Sequence, residues 1–269
     1  MEFANDLREL QQPAQTHIDL NEFTIPDENA LFFRAKQKEL LEQYDAARMF
    51  LSEIDNQDWE HWFAETNNKI ANNYFKLVFQ SRFYEAALFF YNSVVDISWT
   101  VCYVAAEFAC SHNGRRLSVE GIPTLESAVE KLRALEGNVT SPTAEETPFA
   151  YLKSLSSEFS NPINQTIEFW TEFAETDIRH TYNFCKHKGH PICNEIEELN
   201  NTRVMDLRFG VYGKEKPVIT DVRDVQMSIS LKESIDNLLN FDNEKLFPYV
   251  KRLIETLETI VEPSEMITY

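Results

Sequence analysis

The sequence contains little glycine, and this scarcity excludes several familiar architectures. Only 6 of its 269 residues are Gly, which disfavours turn-dense all-β folds. Neither GxGxxG nor GxxxxGKS/T occurs, which disfavours nucleotide binding through a glycine-rich phosphate loop. HExxH and GxSxG are also missing, which removes the usual signatures of zinc peptidases and α/β-hydrolases.

Cysteine and basic charge are also scarce. Four Cys in a chain of this size indicate free buried thiols in a reducing compartment. The first ten residues, MEFANDLREL, have neither a basic start nor an apolar core, so we expect no secretory signal and a cytoplasmic location. Lys and Arg number 25 against 44 Asp and Glu, and the net charge of -19 makes non-specific attraction to nucleic acid weak.

Apolar residues, by contrast, are plentiful. Hydrophobic residues make up 43% of the chain, enough to exclude a disordered protein. The most apolar stretch is 82–110, but a stripe of polar residues at helical spacing runs along it. These residues are Glu85, Asn92, Asp96, Tyr103 and Glu107. A carboxylate in a lipid-facing span would cost about 3 kcal/mol, so we predict a buried central helix and no membrane association.

Helical periodicity and breaker residues predict a mainly all-α protein, a helical bundle with a late β-hairpin insertion. One helix is predicted from Glu28 to about Ile54, and a second from Asn161–Pro162 to about Lys188, ended by Gly189. Alternating apolar and polar residues predict the hairpin. The predicted organisation is an irregular segment at 1–26, a main helical domain at 27–200, the hairpin at 201–230, and C-terminal helices at 231–269 that pack on the main domain.

The stretch RHTYNFCKHKGHPIC, residues 179–193, holds three of the six His, two of the four Cys and no acidic residue. Cys185, His187, His190 and Cys193 are ligand types that zinc accepts. Four ligands within nine residues, half of them on one helix, cannot easily converge on one ion. We therefore expect no metal and no other cofactor, although His187 and His190 could bind an ion with help from elsewhere.

A second hypothesis for this stretch is metal-independent chemistry. Arg179, Asn183 and His187 follow one another at i, i+4 and i+8, so they share a helix face about 12 Å long. Arg holds phosphate, His moves protons near neutral pH, and Asn positions a substrate. These three are the predicted catalytic residues. The predicted substrate-binding residues are Lys186, Lys188 and Tyr182.

This arrangement resembles the HEPN (higher eukaryote and prokaryote nucleotide-binding) family of small helical domains. That family has an Arg and a His on a late helix with four to six residues between them, often with Asn directly after the Arg. The resemblance implies a metal-independent RNase-type effector of a bacterial or phage conflict system, with an active site completed by dimerisation. Here seven residues separate Arg179 from His187, and His180 follows the Arg.

Two alternatives stay open beside the nuclease hypothesis. The stretch could be structural, because residues from Ile163 to Cys185 form an apolar stripe, and positive charge at 186–188 suits a helix C-terminus. The protein could also be a non-catalytic acidic interaction module, such as an immunity protein, antitoxin or phage-encoded inhibitor. The expected partners are accordingly a second copy of the chain, RNA at the local basic face, or a protein that binds the acidic surface.

Overall fold

The computed structural model describes residues 2–10, 28–55, 67–112, 160–200 and 227–260, and most of them are helical. This confirms the predicted fold class, a mainly all-α helical bundle. The helices are α1 Glu28–Glu53, α2 Lys69–His112, α3 Ser160–Ala174, α4 Asp177–His187, α5 Asn194–Asn200, α6 Leu231–Phe241 and α7 Phe247–Ile260. A short 3-10 turn at Leu7–Leu10, a π turn at Asp242–Leu246 and the strands β1 Ile192–Cys193 and β2 Ser228–Ile229 complete the described elements.

Helix α2 contains the central apolar stretch. It has 44 residues and neither Gly nor Pro, which gives a length of about 66 Å. Its N-terminus is capped by Asn68, whose side-chain oxygen accepts from the backbone N–H groups of Ile70 and Ala71 at 3.0 and 3.2 Å. The predicted polar stripe includes Asn92, which is fully buried. In the described ranges, no helix has both the length and the apolarity that a membrane crossing requires.

The prediction of one long helix from 161 to 188 is wrong in one respect, because the structure divides this range into α3 and α4. Thr176 has an extended backbone, with φ -79° and ψ 152°, and its side chain accepts a hydrogen bond from Arg179 N–H. It is therefore the N-cap of a new helix. The apolar stripe continues through Ala174 and Ile178, so periodicity alone did not reveal the break.

The predicted end of this helical region is confirmed at Gly189. Its φ of 121° lies in the left-handed region, which favours glycine. The backbone N–H groups of Lys188 and Gly189 both donate to the carbonyl of Phe184, at 2.8 and 3.2 Å. These bonds satisfy a carbonyl at the helix end and fix the direction in which the chain leaves α4.

The only strands among the described residues form a two-residue parallel pair. Ile192 lies opposite Ser228, and Cys193 lies opposite Ile229. Residues 201–226, most of the predicted hairpin, lie outside the described residues. Cys193 therefore belongs to a strand that pairs with the residues just before α6.

The chain divides into two compact units, and helices α1 and α2 contribute residues to both. In the first unit, the described residues are 47–55, 67–89, 176–200 and 227–240. Its buried apolar residues include Leu51, Tyr84, Leu88, Ile178, Tyr182 and Leu238. In the second unit, they are 2–10, 28–46, 90–112, 160–175 and 241–260.

The core of the second unit is rich in aromatic rings. Phe173 has its ring centroid 5.3 Å from that of Phe241, and Phe169 stacks on Tyr249 at 3.8 Å. The hydroxyl of Tyr249 lies 2.9 Å from the hydroxyl of Ser98, and both groups are buried. These two buried hydroxyls thus satisfy each other's hydrogen-bonding needs inside the core.

A carboxylate fastens β1 and α5 to the start of α6 in the first unit. Glu195 accepts from the backbone N–H groups of Leu231 and Lys232, at 2.9 and 3.1 Å, and from the hydroxyl of Ser230. Partial burial opposes the charge of Glu195, but these hydrogen bonds outweigh it and hold its pKa below the ordinary value. A residue from a different element therefore caps the helix.

Glu195→Ala is expected to lower the free energy of unfolding by about 2 kcal/mol at neutral pH, because it leaves helix N–H groups without their acceptor. The folded-state pKa is lowered, so this contribution is present above about pH 4.5 and is lost as the pH falls through the folded pKa. Urea unfolding of both proteins at pH 7 and pH 3.5 measures this change. Glu198→Ala, an exposed position on the same helix, is the control, and an equal loss at both pH values would contradict the assignment.

Candidate functional site

The predicted catalytic residues lie along α4 in the first unit. Arg179 is half-buried in the first turn, while Asn183 and His187 are exposed further along the helix. With the cap at Thr176 and the turn at Gly189, both ends of this helix are fixed. The three residues therefore lie at successive turns of one capped helix.

Tyr182, predicted to bind substrate, lies mostly inside the first unit. It is 8% exposed, and its ring meets that of Phe89 edge to face, with a centroid distance of 5.0 Å. Cζ of Arg179 lies 5.1 Å from the ring centroid of Tyr182, and Nζ of Lys186 lies 5.7 Å from it. Cations at these distances are attracted to the ring face, so the ring of Tyr182 helps to hold the two basic side chains in place.

Basic groups dominate the C-terminal end of α4. Lys186, His187 and Lys188 are consecutive and exposed, and Lys188 is the C-cap of the helix. Positive charge at a helix C-terminus is favourable. Lys186 and His187, together with Arg179 and Asn183 on the same side of the helix, form what we call the α4 basic face.

Close to this face, the structure adds a carboxylate–imidazole pair that the sequence did not predict. Oε2 of Glu85 on α2 lies 2.9 Å from Nδ1 of His190 and 2.9 Å from Nη1 of Arg82. The side chain of Glu85 is 12% exposed, whereas that of His190 is 65% exposed. A partly buried carboxylate therefore orients an accessible imidazole, with Arg82 on the same carboxylate oxygen.

The backbone around His190 is fixed on both sides. Gly189 carries the turn that ends α4, and Pro191, which is buried, follows His190. Ile192 N–H then donates to Met227 carbonyl at 2.8 Å, at the start of the strand pair. The backbone of His190 is thus held from both sides, and Glu85 holds its imidazole.

The sequence indicated only Glu85 of this pair. Glu85 belongs to the polar stripe of the central helix, which signalled a carboxylate in need of a partner. The structure pairs Glu85 with Arg82 and His190. Arg82 stands at i and Glu85 at i+3, a spacing that itself favours an ion pair on a helix.

The thiols of the dense stretch are poor candidates for chemistry. Burial, together with the charge of Glu85, raises the pKa of Cys185 to about 11. Burial and the charge of Glu195 raise the pKa of Cys193 to about 11. Both thiols are therefore protonated near neutral pH, and a protonated thiol is neither a strong nucleophile nor a metal ligand. Both cysteines are free.

Across the part of the chain that the structure describes, no three His, Cys, Asp or Glu side chains are grouped so that they could hold a metal ion. His187 and His190 are thus not joined there by further ligands. No family model, curated protein or solved structure matches this chain. The chemistry proposed for the site therefore depends on the geometry of its own residues.

Proposed function

We propose that this protein cleaves RNA without a metal ion, as a HEPN-like RNase-type effector of a bacterial or phage conflict system. The observation that supports this proposal is the α4 basic face. A helix fixed at both ends carries Arg179, Asn183 and His187 at successive turns, with the last two exposed. A phosphodiester could contact this face despite the net charge of -19, because residues 179–193 contain no acid.

Each side chain has its own role in this reaction. His187 takes the proton from the ribose 2′-hydroxyl, the 2′-oxygen forms a bond to phosphorus, and the bond from phosphorus to the 5′-oxygen breaks. Arg179 binds the non-bridging oxygens, where negative charge develops. Asn183 positions the ribose or phosphate, while Lys186 and Lys188 bind neighbouring phosphates. The products are a 2′,3′-cyclic phosphate and a 5′-hydroxyl.

Purified protein is expected to cut RNA in the presence of EDTA, since no step uses a metal ion. A panel of structured and unstructured RNAs, analysed on denaturing gels, measures cleavage. Mass spectrometry then identifies the ends, which should be cyclic phosphate and 5′-hydroxyl. Activity that EDTA abolishes and Mg²⁺ restores would contradict the mechanism.

Failure to cut any RNA in the panel would reject the proposed function. The acidic surface would then favour the alternative, a non-catalytic interaction module. That alternative predicts a stable complex with a basic or enzymatic partner, and it predicts that His187→Ala leaves the complex intact.

A further inference from the structure

We propose that His190, held by Glu85, is the general acid of this same RNase reaction. The inference extends the proposed function, because it supplies the second proton transfer that strand cleavage needs. His187 removes a proton from the 2′-hydroxyl, and the departing 5′-oxygen must gain one. The imidazole of His190 is the group that the structure orients for that step.

The imidazole ring of His190 has a defined orientation. Nδ1 faces the Glu85 carboxylate at 2.9 Å, so Nδ1–H donates to the carboxylate and Nε2 points away from it. A carboxylate in this position fixes the orientation of the ring and balances its positive charge when both nitrogens carry a proton. The doubly protonated ring then presents Nε2–H as the donor.

His190 also lies close to His187 in the chain. His190 stands three residues after His187 along the chain, so their Cα atoms are at most about 11 Å apart. Two imidazoles within this span can reach the two oxygens on opposite sides of one phosphorus atom. The turn at Gly189 redirects the chain between them, which places one imidazole on α4 and the other beyond its end.

The pair also combines a partly buried carboxylate with an accessible imidazole. Glu85 lies within the long helix α2 and is 12% exposed, while the His190 side chain is 65% exposed. Because the imidazole is largely exposed, water screens its attraction to the carboxylate, so the pair adds little to the stability of the fold. Such a pair is therefore a weak structural device, but its fixed, accessible nitrogen suits proton transfer.

The proton and bond changes balance. Nε2–H of His190 gives its proton to the 5′-oxygen as the P–O5′ bond breaks, while Nε2 or Nδ1 of His187 holds the proton from the 2′-hydroxyl. The cyclic phosphate and the 5′-hydroxyl leave. The two imidazoles then recover their starting states by proton exchange with water. Glu85 is a positioning residue in this scheme and touches no substrate atom.

The test compares two substrates of the same sequence. One is ordinary RNA, and the other has sulfur in place of the 5′-bridging oxygen at a single linkage, because a thiolate leaves without being protonated. His190→Ala is expected to cut ordinary RNA about 10²–10³-fold more slowly than wild type, yet to cut the sulfur-containing linkage at nearly the wild-type rate. Glu85→Ala should show a smaller loss, about tenfold, with the same rescue.

His180→Ala is the matched control, because His180 is an exposed imidazole on α4 outside the proposed machinery; both its rates should equal those of wild type. An unchanged rate of His190→Ala on ordinary RNA would overturn this inference and leave the proposed function standing. Equal losses on both substrates would show a structural role and overturn it as well. If wild type cuts neither substrate, the proposed function fails, and this inference fails with it.

Discussion

His187→Ala is expected to slow RNA cleavage by about 10²–10⁴-fold, the usual contribution of a positioned general base. The loss should appear on ordinary RNA and on the sulfur-containing substrate alike, since deprotonation of the 2′-hydroxyl precedes bond formation in both. Initial rates under EDTA measure the effect. The loss of cleavage should be accompanied by loss of any toxicity that the wild-type protein shows on expression.

The fold should survive this change, which makes the result interpretable. His187 is exposed in the last turn of α4, and surface substitutions of this kind usually alter the free energy of unfolding by less than about 0.5 kcal/mol. Thermal melting followed by circular dichroism provides the check. A His187→Ala protein that melts normally and cuts RNA at the wild-type rate would exclude His187 as the base.

The largest expected effect on stability is that of Phe173→Ala, at about 4 kcal/mol in the free energy of unfolding. Phe173 is 2% exposed, and its ring contacts those of Phe169 and Phe241, with centroid distances of 6.4 and 5.3 Å. Removing the ring takes away its buried apolar area and leaves a cavity that its aromatic neighbours cannot fill. The melting temperature should fall by roughly 10 °C.

Phe75→Ala makes the same chemical change on the surface. Phe75 is 44% exposed on α2, so its replacement should cost less than about 1 kcal/mol. Urea unfolding of the two variants beside wild type gives the comparison. If both variants lost a similar free energy of unfolding, burial would not be the main reason why Phe173 stabilises the fold.

The elements that the sequence predicted well are those with strong local signals. The helix from Glu28 ends within one residue of its predicted limit, and the central apolar stretch lies within one long helix. Gly189 ends α4 as expected, because a residue with positive φ is a local requirement that glycine meets without strain. Each of these features depends on residues that are adjacent in the chain.

One feature that the sequence did not predict is local: Thr176 caps a new helix by accepting from Arg179 N–H, but the apolar stripe continues past it. The other features depend on partners far apart in the chain. β1 pairs with a strand 36 positions further on, in the register Ile192–Ser228. The Glu85–His190 pair joins α2 to the turn after α4. Periodicity could indicate that Glu85 needs a partner, but only tertiary packing selects which one.

The π turn at Asp242–Leu246 has an evolutionary consequence. Phe247 N–H donates to Asp242 carbonyl, five residues back instead of four, so this turn holds one residue more than a regular α-helical turn. Loss of that residue would rotate Tyr249 by about 100° relative to Phe241. The contact of Tyr249 with Ser98 and the contact of Phe241 with Phe173 could then not both be kept. Among homologues, side chains in this segment should vary more readily than its length, and insertions or deletions there should be rare.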